Sequence, residues 1–217
     1  MKITDVSPQK KKSQRFNIFV DGEFAFGISA ELVFERKVKV GAEISEKQMG
    51  DLIAADQVER LLNKVLNFLS FRPRSEREVR NHLIRKGKLA EVKSDQEKIQ
   101  HTQSVDKVIN KLKKLNQIND DEFAIWWVRQ RRDFRPVSDV FMKRELLAKG
   151  IDKEIIDKHL TKDPEFQTEI ALKAAQKKIK SYRNLEKREV KTKLSQFLAR
   201  RGFEWELVKK TVDTLVP

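Results

Sequence analysis

From Ile44 onward, apolar residues recur at helical spacing. Val58, Leu61, Leu62, Val65, Leu66 and Leu69 stand at i, i+3, i+4, i+7, i+8 and i+11, one stripe that a helix turns toward a core. Pro73 stops that helix, and Ser75 with Glu78 three residues on reads as a capping box opening the next. Val79 and Leu83 face inward, and Gly87 ends the helix where glycine takes the left-handed conformation cheaply. After a polar stretch, Val105, Val108, Ile109, Leu112 and Leu115 form a third stripe.

The first 45 residues follow another period. In RFNIFVDGEFAFGIS (15–29), Asp21-Gly22 separates two runs rich in Phe, Ile and Val, the signature of a hairpin closed by a type I′ turn. In a two-residue hairpin Phe19 faces Phe24, with Phe26 on the same face. Phe16, Ile18, Val20 and Ala25 occupy the other. Both faces are apolar, so both are expected to be covered, one of them by helices. Lys2–Ser7 is placed to add a third strand. Lys10, Lys11 and Lys12 read as a solvated loop within reach of phosphate.

The helical pattern then repeats. Asn119 is placed to cap a helix carrying Phe123, Trp127 and Val128. Pro136 breaks the chain, Ser138 starts a helix with Met142 and Leu146, and Gly150 ends it. Asp152 is placed to cap the next, with Ile151 and Ile156 as a hydrophobic staple. A third round opens on Asp163-Pro164, a cap followed by proline at the first helical position. It continues through Phe166, Ile170, Ile179 and Tyr182 to a helix ended by Gly202, then Phe203, Leu207, Val208, Val212 and Leu215. Aligned on Gly87, Gly150 and Gly202, the residues four before are Leu83, Leu146 and Leu198, and those eight before are Val79, Met142 and Leu194. Twelve before stand Ser75 and Ser138, but Val190 in the third copy, whose middle helix is therefore expected to be longer.

The expected fold is mainly α: three tandem three-helix repeats in an elongated array, preceded by a small N-terminal β-hairpin or three-stranded sheet. The boundaries read 1–45 for the sheet, then 46–117, 118–161 and 162–217 for the repeats. Residues 88–104 are a polar insertion, either a loop or a helix extension.

Charge changes this picture. The net charge is +14, yet residues 1–60 carry ten basic and ten acidic side chains, so the whole excess lies beyond them. A basic helical array points to an anionic partner, nucleic acid or an acidic protein surface. The absence of cysteine excludes thiolate chemistry and disulfides. No apolar run approaches the ~20 residues that span a bilayer, and the first residues lack a signal-peptide core. A cytoplasmic protein that does not enter membranes is expected, with monomer as the default state. There is no P-loop, no Gly-rich dinucleotide turn and no HExxH, so no catalytic, metal or cofactor-binding residue is assigned. His82, His101 and His159 are scattered, and Asp120, Asp121 and Glu122 suit a helix N-terminus.

LSFRPRSEREVRNHLIRKG (69–87), INDDEFAIWWVRQR (118–131) and KRELLAKGIDKEIIDKHL (143–160) resemble the signature segments of the RecX regulators. The opening ITDVSPQKKKSQRFNIFVDGEFAFGIS resembles the N-terminal extension of that family's longer members. Two segments depart from the family pattern. The loop of the first repeat is longer and more polar, and Phe134-Arg135-Pro136-Val137 stands where the family usually has glycines. The resemblance implies regulation without catalysis or cofactor. Such proteins bind the RecA recombinase filament on single-stranded DNA, lie in its groove and touch DNA directly or through the filament. They usually restrain ATP hydrolysis, strand exchange and the coprotease role in the SOS response. Sequence physics alone leaves two other classes open, an autonomous basic DNA-binding protein of tri-helical modules and a helical adaptor.

The cations offered for such contacts form two main clusters, Arg72, Arg74, Arg77 and Arg80, and Arg129, Arg131, Arg132 and Arg135. Lys143, Arg144 and Lys149 in the second repeat and Lys187, Lys191, Arg200 and Arg201 in the third are further candidates. Each competes with a plainer role as a solvated helix face or, for Lys149, as a partner of the helix C-terminus. Trp127 shares the Phe123 stripe and is expected in the core. Trp126, about 100° away around the helix, is expected at its edge, where it packs on the next repeat or stacks on a base.

Overall fold

In the computed structural model, which describes residues 1–10, 12–86, 94–160 and 163–217, Asp21 and Gly22 both take positive φ, 49° and 91°. That is the backbone of the type I′ turn, and it joins β2 (Lys12–Val20) to β3 (Glu23–Ser29). β1 (Ile3–Gln9) pairs antiparallel with β2, giving a sheet of order β1-β2-β3. Phe19 pairs with Phe24 as expected, but Ile18 pairs with Phe26, because Ala25 is an extra residue in β3. This bulge moves Phe26 onto the Ile18 and Val20 face, where it is buried with Ile3 and Ile28. The opposite face is not sealed: Phe24 is 59% exposed and meets Phe19 edge-on at 5.9 Å.

The chain divides into two compact units. The first comprises Met1–Arg72 and Val79–Leu115. Here α1 (Ala30–Glu35) and α2 (Glu46–Leu69) cover the buried face of the sheet with Leu32 and Leu52. Asp56 of α2 is buried and accepts both terminal nitrogens of Arg15, at 2.9 and 2.8 Å, and the backbone N–H of Ser29 at 3.0 Å. α3 (Glu76–Lys86) adds Val79 and Leu83 to this unit, both fully buried. α4 (Asp95–Lys114) begins well before the stripe at Val105, with a capping box from Ser94 and Glu97. From Asp95 the polar insertion is thus a helix extension. Residues 88–93 and Gly87 lie outside the described residues, as does Lys11 of the lysine loop. His101 is buried in α4 beside Gln57, and His82 stacks on Phe68 at 4.0 Å.

The second unit comprises Pro73–Glu78 and Asn116–Pro217. α5 (Asp120–Phe134), α6 (Asp139–Ala148) and α7 (Lys153–His159) close around Phe123, Val128, Met142, Leu146, Ile151 and Ile156. Asn119 caps α5 through its side chain, whereas Asp152 holds the cap position of α7 without a side-chain bond, leaving the Ile151 and Ile156 staple to set that turn. Asp163 caps α8 (Pro164–Ile179), and a short 3-10 turn carries Tyr182. α9 (Lys187–Arg200), four residues longer than α6, packs with α8 and α10 (Trp205–Leu215) around Ile170, Leu194, Leu198 and Val208. No described helix is long and apolar enough to cross a membrane.

Candidate functional site

The candidate cations begin at the joints between repeats. Gly150 and Gly202 end α6 and α9 at φ +84° and +81°. Each turn docks on the serine that opens the preceding middle helix. Ser75 Oγ donates to the Lys149 carbonyl at 2.7 Å, and Ser138 N–H donates to the Arg201 carbonyl at 3.1 Å. A Cβ on Gly150 would lie 2.7 Å from Arg77 Cβ, and one on Gly202 would lie 2.7 Å from Ser138 Oγ. Glycine is therefore required twice over, by the left-handed turn and by the close approach. Val190, which stands in the serine position of the third repeat, is buried in that repeat's own core.

These joints consume several of the candidate cations. Lys149 Nζ binds Glu78 at 2.6 Å and lies 4.2 Å above the Trp127 ring. Arg131 forms a two-pronged pair with Glu145, both bonds 2.7 Å, and covers the same ring at 4.5 Å. Trp127 packs against the core with its half-buried ring stacked on Phe123 at 5.8 Å, and its Nε1 donates to Glu145 at 3.0 Å, so the same ring is also a platform for internal cations. Arg201 donates to the Pro136 carbonyl and lies 4.3 Å over Phe197. Burial, with Arg135 and Arg131 nearby, lowers its pKa. Arg132 lies over Phe166 at 4.6 Å, close to Asp139, whose carboxyl is pushed up by burial.

Others are paired nearer the surface. Arg80 binds Asp106 at 2.6 Å, Lys191 binds Asp213 at 3.0 Å, and Lys143 pairs with Asp157. Arg77 is exposed and reaches the Leu147 carbonyl at 3.4 Å. Arg129 is exposed, 3.9 Å from Asp133. Arg72 and Arg74 are half-buried. The first cluster is divided, Arg72 and Arg80 belonging to the first unit and Arg74 and Arg77 to the second. Arg135, Arg144, Lys187 and Arg200 are exposed and have no ion pair among the described residues.

The acidic cluster at the start of α5 works within the fold. Asp120 accepts the Glu76 N–H of α3 at 2.8 Å. Asp121 is held below the usual carboxylate range by hydrogen bonds from His159 and Lys158. Trp126 packs against the core of the second repeat. Asp106, Glu145 and Asp213 were not singled out from sequence, and Glu78 was read only as a capping residue, because each lies 14 to 71 residues from the cation it pairs with.

Family models match along most of the chain. The RecX N-terminal domain model covers residues 1–45, and those of the first, second and third RecX three-helix domains cover 62–92, 119–160 and 165–212. A regulatory protein RecX of Clostridium beijerinckii is 34% identical over 99% of this chain and 96% of its own. This chain belongs to the RecX family. The RecX of Bacillus subtilis is 32% identical over 98% of this chain and 76% of its own length. A crystal structure of regulatory protein RecX superposes with a TM-score of 0.63 at 29% identity, covering 98% of both chains. That of RecX from Lactobacillus salivarius gives 0.54 at 26% identity over 74% of this chain and 97% of that one.

Proposed function

We propose that the protein binds the filament that RecA recombinase forms on single-stranded DNA and restrains its ATP hydrolysis, strand exchange and coprotease activity. Membership of the RecX family is the observation that carries this reading. It is supported by the basic excess beyond residue 60 and by cations that the fold leaves unneutralised. The contact set is drawn from Arg135, Arg144, Lys187 and Arg200, exposed on α6, α9 and the connector after α5, together with Arg77 and Arg129. Arg131, Lys149 and Arg201 serve the fold instead, since each already satisfies partners within the second unit.

The deciding measurement is the DNA-dependent ATPase of RecA as this protein is titrated in. Inhibition is expected well below one copy per recombinase protomer, at salt where binding to bare DNA is negligible. Inhibition that sets in only when enough protein is present to coat the DNA would instead favour an autonomous DNA-binding protein. Reversing the charge of Arg144 and Arg200 is expected to weaken inhibition at least severalfold while the thermal melt stays unchanged. An unchanged titration removes both from the contact set.

A further inference from the structure

The connector before each of the first two middle helices has one design, Phe71-Arg72-Pro73-Arg74-Ser75 and Phe134-Arg135-Pro136-Val137-Ser138. Its serine is buried, and in each case the following repeat's glycine turn pins it. Its phenylalanine is not: Phe71 is 82% exposed and Phe134 73%. Neither ring makes a ring or cation contact among the described residues.

Packing does not account for these rings. Phe134 is the last residue of α5, and the second repeat closes its core with Val137 and not with Phe134. The residues adjoining Phe134 are mainly basic. Arg135 follows it, exposed and outside any ion pair among the described residues. The preceding Asp133 is approached by Arg129 and Lys173 at 3.9 Å, and Lys177 donates to its carbonyl at 2.7 Å. The connector behind the ring is rigid, with Pro136, Val137 and Ser138 buried and Arg201 bonded to the Pro136 carbonyl.

From this we infer that the two Phe-Arg connectors are stacking platforms for single-stranded nucleic acid, each ring taking the face of an unpaired base and, at Phe134, the neighbouring cations taking its phosphates. An exposed aromatic ring carried on a held backbone beside cations suits that ligand, which presents a flat apolar surface and negative charge within one nucleotide. An apolar protein pocket receiving the same ring would have to desolvate the neighbouring cations without an equivalent return. A duplex keeps its base faces stacked internally and offers only edges. Little sequence preference is expected, since every base has such a face. This deepens the function proposed above by naming a direct contact with nucleic acid, and it is tested without the recombinase.

Fluorescence anisotropy with a labelled oligothymidylate measures it. Phe134→Ala and Phe134→Leu are each expected to weaken binding about fivefold or more, and the pair with Phe71→Ala further, while Phe134→Trp retains it. The salt dependence stays as in the wild type for these variants, but its slope falls by about one for Arg135→Ala. Both rings are exposed, so thermal melts are expected to be unchanged. The inference is overturned if the wild type does not bind the oligonucleotide, or if Phe134→Leu binds as the wild type does. It is equally overturned if the phenylalanine variants lose ATPase inhibition yet bind bare oligonucleotide normally, which makes the rings anchors for protein. Wild-type failure to inhibit RecA, with ring-dependent oligonucleotide binding intact, would sink the filament reading alone.

Discussion

Replacing Asp56 by alanine is expected to lower the stability of the first unit by about 3–5 kcal/mol. The side chain is only 6% exposed, and its partner Arg15 is 17% exposed. Removing the carboxylate strands a guanidinium that has lost both of its bonds to it and an N–H of Ser29 that began the turn into α1. Arg15 keeps the Gly27 carbonyl at 2.8 Å, which cannot neutralise its charge. Urea unfolding should be followed by far-UV circular dichroism, because Trp126, Trp127 and Trp205 all lie in the second unit. Arg15→Met combined with Asp56→Leu is expected to recover much of the loss, since it removes both charges and leaves apolar volume. A loss of under about 1 kcal/mol for Asp56→Ala would place this pair among ordinary surface ion pairs.

Gly150→Ala is expected to cost about 2–4 kcal/mol, from about 1–2 for an alanine in the left-handed region and the rest from overpacking. Gly41→Ala is the matched control. Its φ is +87° against +84° at Gly150, but a Cβ there meets nothing within 4 Å. It should show the backbone penalty alone, about 1–2 kcal/mol. At Gly150 the obstructing atoms include Arg77 Cβ, which is fixed to the α3 backbone and cannot swing aside. Urea midpoints for both variants decide the matter. Equal losses would mean that the close approach of the glycine turn to the preceding repeat contributes nothing to stability.

The two variants also separate what local sequence carries from what packing adds. Helix existence was legible wherever apolar residues kept a single period, because a stripe such as Val58–Leu69 shares one face only in a helix, although Leu66 within it stays 41% exposed. The ends of α6 and α9 were legible because positive φ has a strong residue preference, and Gly150 and Gly202 take it as expected. The hairpin turn was legible for the same reason at Asp21-Gly22. Its register was not: the bulge at Ala25 serves the burial of Phe26 against Ile18, Val20 and Leu52, and an alternating pattern alone is equally satisfied without it.

For the candidate site, the sequence by itself determined the cations, their concentration beyond residue 60, and the repeat that spaces them. It also carried the segments by which the chain is recognised as a RecX. Which cations remain available was decided only by tertiary structure. Arg131 and Arg135 are four residues apart on neighbouring turns, yet Arg131 is spent on Glu145 while Arg135 faces solvent. That distinction depends on where α6 crosses α5, and the Coulomb energy that neutralises an arginine acts over a few ångströms, a distance that composition does not encode. The phenylalanines of the two connectors show the same limit. Nothing in the local pattern says whether they are buried, and only the folded chain shows that Val137 takes the place in the core and leaves Phe134 in water.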